Sequence, residues 1–167
     1  MPKALGPMHL SNTRDYEAQR SNNFEVTFAG LGDDITLNVI SFPLPTITNT
    51  PLEISHGNSK VKVAGQTEYE AGELVIRDGI GADVEGQLVE WRRKVYKAET
   101  DQIGYAADYK QNATIYEFAP DGSHVRTWKL LGCWPSSLNP GELSNESSDI
   151  KQITCTVEYD KAYRVLG

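Results

Sequence analysis

Residues 112–131, Asn112-Ala113-Thr114-Ile115-Tyr116-Glu117-Phe118-Ala119-Pro120-Asp121-Gly122-Ser123-His124-Val125-Arg126-Thr127-Trp128-Lys129-Leu130-Leu131, decide the fold class. Asn112 to Phe118 and His124 to Leu131 are β-rich runs, and they bracket Pro120-Asp121-Gly122. Proline presets φ, aspartate bonds its own backbone two residues on, and glycine supplies positive φ, so this is a hairpin signal with a mechanism. Gly132-Cys133-Trp134-Pro135 is expected to end the second arm, and Pro135 to Asp149 reads as a polar loop containing Pro140-Gly141. A last strand then alternates cleanly, with Ile153, Cys155, Val157 and Tyr159 opposed by Gln152, Thr154, Thr156 and Glu158.

Toward the N-terminus the same period of two returns. Phe24, Val26 and Phe28 alternate with Glu25 and Thr27, and Gly30-Leu31-Gly32-Asp33-Asp34 turns the chain. Ile35, Leu37 and Val39 predict a second strand, which Pro43 and Pro45 stop. The segment to Pro51 reads as an ordered surface loop. Leu52 to Ser55 and Ser59 to Val63 flank His56-Gly57-Asn58 as a hairpin, and Glu73 to Arg77 is a further short strand.

The period changes once. Val84, Leu88, Trp91 and Val95 recur at helical spacing, Asp83 is placed to cap the N-terminus, and Arg92, Arg93, Lys94 and Lys97 gather where the helix dipole favours cations. Trp91 sits on the apolar stripe and is expected to be a buried anchor between helix and sheet. Gly86 inside the helix costs roughly 1 kcal/mol relative to alanine. The sum is seven or eight strands with one amphipathic helix, a mainly β sandwich or barrel-like domain with the helix on its side. The chain divides into an N-terminal arm (1–22), a β-domain (23–160) and a C-terminal tail (161–167).

Length and charge narrow the function. The 167 residues suit one domain with a full core, and 39% hydrophobic residues plus 14 glycines argue against disorder. A net charge of −7 disfavours tight nucleic-acid binding, which needs a basic face. No apolar run reaches the ~20 residues of a membrane span, and Met1 to Pro7 has no apolar leader core, so neither secretion nor a membrane anchor is expected. Cys133 and Cys155 are expected to be reduced core residues.

The residues offer little chemistry. His9, His56 and His124 lack a second ligand at metal-site spacing, so no metal is expected. There is no nucleophile elbow, and Gly79-Ile80-Gly81 lacks the third glycine of a dinucleotide loop; neither catalysis nor a cofactor is expected. Two features have alternative readings. The basic group on the helix is either a solvated face or a docking surface for an acidic partner. The loops Phe42 to Pro51 and Pro135 to Asp149 are either decorative or hold neighbouring subunits.

Asn23-Phe24-Glu25-Val26, Lys62-Val63-Ala64-Gly65, Val89-Glu90-Trp91, Gly132-Cys133-Trp134-Pro135 and Gly141-Glu142-Leu143, in this order and spacing, resemble the tail tube proteins of contractile-tailed bacteriophages. The architecture is also similar to that of type VI secretion tube proteins and of phage-tail-like bacteriocins. The resemblance runs from about Asn23 to Tyr159. It implies a barrel-like sandwich with one helix, hexameric rings stacked into a hollow tube within the virion tail, assembly in the host cytoplasm, and transient, non-specific passage of DNA. It also implies a contractile sheath protein as partner, together with baseplate and tail terminator proteins. Since the family's helix faces the sheath, Arg92, Arg93 and Lys97 become sheath-facing candidates. The family's corresponding loop reaches the adjacent ring, which makes Leu44, Ile47 and Leu52 ring-stacking candidates. A tube that carries no DNA, and a monomeric β-sandwich binding module, stay open as alternatives.

Overall fold

A computed structural model describes residues 17–165, so most of the arm assigned to residues 1–22 lies outside the described residues. Within them the chain runs β1 (Phe24–Phe28), α1 (Asp33–Asn38), β2 (Val39–Ser41), β3 (Ile47–His56), β4 (Ser59–Tyr69), β5 (Gly72–Arg77) and α2 (Val84–Val95). It continues through β6 (Tyr96–Lys97), β7 (Gln102–Ile103), α3 (Ala106–Tyr109), β8 (Gln111–Phe118), β9 (His124–Asn139), β10 (Gln152–Glu158) and β11 (Lys161–Val165). The fold is mainly β, as expected. No described helix is long and apolar enough to cross a membrane.

The central hairpin organises everything else. β8 and β9 pair antiparallel around the Pro120-Asp121-Gly122 turn, with Ile115 opposite Trp128. β1 adds to the far edge of β8, with Val26 opposite Ile115. The first half of β9 lies between β8 and β11, whereas its second half pairs with β10, which is followed by β5 and β2. One long strand thus belongs to both layers. The inward faces meet in a single core: Val26 and Phe28, Ala113 and Ile115, Leu130 and Cys133, Leu74 and Ile76, and Ile153, Cys155 and Val157, with Leu88 and Trp91 supplied by α2.

Four expectations are corrected. The strand that Pro135 was expected to end runs on to Asn139. At Gly132 φ is +70°, and a side chain there would collide with the Asp160 carboxylate, so glycine lets β9 bend from one layer into the other. Pro135 follows at a bulge where Thr156 faces Ser137 but Val157 faces Pro135; the ladder is already interrupted there, and the missing N–H is tolerated. The Ser136 hydroxyl donates to the Thr156 carbonyl at 3.2 Å across the same irregularity.

Ile35 to Leu37 form a helix, not a strand. Ile35 is buried and Leu37 exposed, a split that a helical turn produces by turning i and i+2 to opposite sides, whereas strand alternation would put both on one face. Asp33 and Asp34 occupy its first turn, where the helix dipole favours negative charge, and the Asn38 amide donates to the Asp34 carbonyl at 2.7 Å. α3 is a further helix beyond the single one expected. Lys161 to Val165, expected to be part of a tail, form β11 on the edge of β9, with Ala162 buried opposite Leu130.

The helix α2 follows its periodicity. Val84, Leu88, Trp91 and Val95 are its buried residues, and the Asp83 carboxylate accepts from the Gly86 N–H at 2.8 Å. A Cβ on Gly86 would run into that capping carboxylate, which explains a glycine inside a helix. Lys151 ties the loop before β10 to this helix end through ion pairs with Asp78, at 3.2 Å, and Glu85.

Candidate functional site

The region Phe42 to Tyr69 departs most from a self-contained domain. Beyond Phe42 to Thr46, β3 and β4 form a two-stranded sheet of their own, hydrogen-bonded to no other strand among the described residues. The expected loop up to Pro51 is therefore strand from Ile47 onward. Pro51 lies in a two-stranded ribbon, where each strand has a free edge and a missing donor can go unfilled, and the register shifts beside it. The ribbon turns at Gly57-Asn58, between the paired residues His56 and Ser59.

Register gives the ribbon two different faces. Leu52 pairs with Val63 and Ile54 with Val61, so these four aliphatic side chains share one face, each between 40% and 55% exposed. Glu53 pairs with Lys62 on the other face, where its carboxylate is 3.0 Å from the Lys60 ammonium and 3.9 Å from that of Lys62. A lone two-stranded ribbon is marginal in water, and contiguous apolar surface on a soluble chain marks an interaction site. Every residue of β3 is exposed, so the ribbon does not fold back on its own body. Its root is held by the Tyr69 ring against the Tyr159 ring, 6.2 Å between centroids, and by the Glu70 N–H donating to the Thr46 carbonyl at 3.2 Å.

The sequence-derived stacking residues fall in two places. Ile47 and Leu52 lie on β3, while Leu44 precedes it beside the body; all three are exposed. Ile54, Val61 and Val63 were missed, although their signal was legible: two short runs alternating apolar and polar, brought opposite one another by a glycine turn.

The basic group divides as well. Arg93 is exposed, with its guanidinium 3.1 Å from Glu99 and 3.8 Å from Glu90, while Lys94 and Lys97 are exposed and form no ion pair among the described residues. Arg92 does not share their exposure. It is half-buried, its Nη1 is buried without a hydrogen-bond partner among the described residues, and its charge acts on the Cys155 thiol. A side chain one residue past Trp91 turns partly toward the sheet, which the expected sheath-facing set of Arg92, Arg93 and Lys97 overlooked. Trp91 itself is 1% exposed and tilts against Phe28, ring centroids 5.5 Å apart.

The comparisons agree with this architecture. The family model of the T4-like virus tail tube protein gp19 matches residues 20–162. The tail tube protein gp19 of Enterobacteria phage T4 is 25% identical over 156 residues, covering 88% of this chain and 95% of that protein. Among solved structures, a chain of the anti-feeding prophage cap, the tube terminating cap, superposes with a TM-score of 0.71 at 19% identity, covering 90% of this chain and 92% of its own. A chain of the PVC extracellular contractile injection system, from its sheath-tube complex in the extended state, superposes with a TM-score of 0.68 at 17% identity, covering 97% and 99%. These two likenesses are of fold. A mainly β body crossed by one long strand, a capped helix on its side and a family match over nearly the whole described chain lead to one conclusion: the chain belongs to the T4-like virus tail tube protein gp19 family and is a structural tube protein of the contractile phage tail.

Proposed function

We propose that copies of this chain close into hexameric rings and stack into the inner tube of the tail, with the β3–β4 ribbon coupling one ring to the next. The supporting observation is the uncovered face of Leu52, Ile54, Val61 and Val63, since burying it on a second copy removes from water apolar surface that no described residue of the same chain covers. Leu44, Ile47 and Leu52 act in this reading as stacking residues. The contact is heterologous, ribbon against body, which allows a ring or an open stack.

DNA is the cargo in this reading, passing during ejection. A subunit with a net charge of −7 gives a wall that gains little counterion release from phosphates, so the DNA slides without sticking. Outside the tube, Arg93 and Lys97, with Lys94, meet acidic groups of the sheath protein, while the ends of the stack meet the baseplate and the tail terminator. Assembly takes place in the host cytoplasm, and no catalytic step is assigned to the chain. Negative-stain microscopy of the purified protein is the test. Stacked rings are expected, and a strictly monomeric species at high concentration contradicts the reading.

A further inference from the structure

The hydrogen-bonded path of strands through the body starts at β1 and ends at β2, and these two do not pair with each other. They border a groove of about 620 Å³ instead. Each therefore keeps one edge of backbone N–H and C=O groups without a strand partner among the described residues, a template for an added strand. Phe24, Val39, Phe42, Leu44 and Ile115 supply an apolar lining. Glu117 also lines the groove; its side chain is 13% exposed, its Oε1 lies 4.0 Å from Arg126, and its Oε2 is buried with no hydrogen-bond partner among the described residues. A buried carboxylate oxygen without a donor is costly, so the groove is incomplete as it stands.

We infer that the β1–β2 groove is the receptor for the ribbon of a second copy of this chain, its apolar face against the groove lining and the long side chain of Lys60 or Lys62 reaching round the ribbon edge to Glu117. This rests on the tube reading and specifies where the ribbon lands. What the groove lacks, the ribbon carries: free strand edges, the Leu52, Ile54, Val61 and Val63 face, and two ammonium groups, Lys60 and Lys62, that share the single carboxylate of Glu53. The ribbon also springs from the groove's own rim, because Phe42 and Leu44 line the groove and β3 begins at Ile47. Ten residues at about 3.4 Å each carry its tip about 34 Å away, into reach of a neighbour. Donor and acceptor are different surfaces of one chain, so each copy offers both, and between successive rings the contact can repeat along the stack.

The test is disulfide capture in the assembled full-length protein. Leu44→Cys with Ile54→Cys places one thiol in the groove and one on the ribbon, and Ser41→Cys with Val63→Cys samples a second position along it. Native Cys133 and Cys155 are buried and do not compete. After micrographs establish that tubes are present, mild oxidation is expected to give a ladder of covalent multimers on a non-reducing gel from at least one pair, and only monomer from each single variant. Tubes without a ladder from either pair overturn the groove assignment and leave the tube reading standing. Wild-type protein that forms no tubes overturns both. If His9→Cys captures Leu44→Cys within one chain, giving a monomeric band of altered mobility, the groove belongs to the chain's own N-terminal residues and the proposal is wrong.

Discussion

The Trp91 indole N–H donates to the Tyr109 backbone carbonyl at 2.7 Å, joining the inner face of α2 to the last residue of α3. The Tyr109 ring in turn lies 5.8 Å from that of Trp134, on the half of β9 that pairs with β10. One side chain therefore couples the helix, the short helix after it and the strand shared by both layers. Trp91→Ala is expected to cost ~3–5 kcal/mol, from the cavity and the lost contact with Phe28. Trp91→Phe keeps much of the volume but removes the donor, and should cost less, about 1–3 kcal/mol. Denaturant unfolding of the two variants checks the order; equal and negligible losses would mean that the helix does not anchor the core.

The two thiols report on the core from inside. Burial pushes Cys133 up to about 12 and Cys155 to the same value, in the latter case against the opposing charge of Arg92. In the unfolded chain a thiol ionises near pH 8.5, so between there and about pH 12 the unfolded state holds fewer protons than the folded one. Stability therefore falls as pH rises through that window, and is unaffected by these groups below it. Alkylation by iodoacetamide at pH 8 should be undetectable in the folded protein and complete in denaturant. Fast labelling without denaturant would place the thiols outside a closed core.

Neighbouring positions on α2 and β6 are not equivalent toward an acidic partner. Arg93 already shares its charge with Glu90 and Glu99, whereas Lys94 and Lys97 have no ion pair among the described residues. Lys94→Ala with Lys97→Ala should reduce capture of the sheath protein more than Arg93→Ala, with the difference shrinking at high salt. Arg92→Ala should act on folding stability instead, because its guanidinium is half-buried beside the sheet. Co-sedimentation with sheath protein, alongside melting curves, separates these effects; sheath capture by the double variant equal to wild type would remove the docking role.

Much of the body was legible because alternation and turn chemistry agree there. Val26 and Phe28, Ile115, and Ile153 to Val157 point inward as the period of two requires. The helix was legible from four apolar residues and a capping aspartate. What failed were short segments on which local signals compete. Three apolar residues from Ile35 to Val39 fit a strand as well as one helical turn followed by a strand, and the acidic start at Asp33-Asp34 decides between them. Prolines misled twice, at Pro51 and Pro135, since each occupies a place in a strand where no N–H is required. The candidate stacking site was only half legible. Leu52 was readable as an uncovered residue and the alternation of Ile54, Val61 and Val63 was legible around the glycine turn, but that the four share one face follows from the register, and the groove beside Leu44 from strands far apart in sequence.

The central claim is that the apolar face of the β3–β4 ribbon joins one ring to the next. Leu52→Asp with Ile54→Asp tests it most directly, because both positions are exposed in the single chain and each carboxylate would have to be desolvated at the junction. The measurement is the length distribution of particles in negative-stain micrographs, with circular dichroism of the same sample to verify the fold. The expected result is an intact β spectrum and a melting temperature close to wild type, with single rings or free subunits and no long tubes. Tubes of wild-type length from this variant, or loss of its fold, would contradict the account.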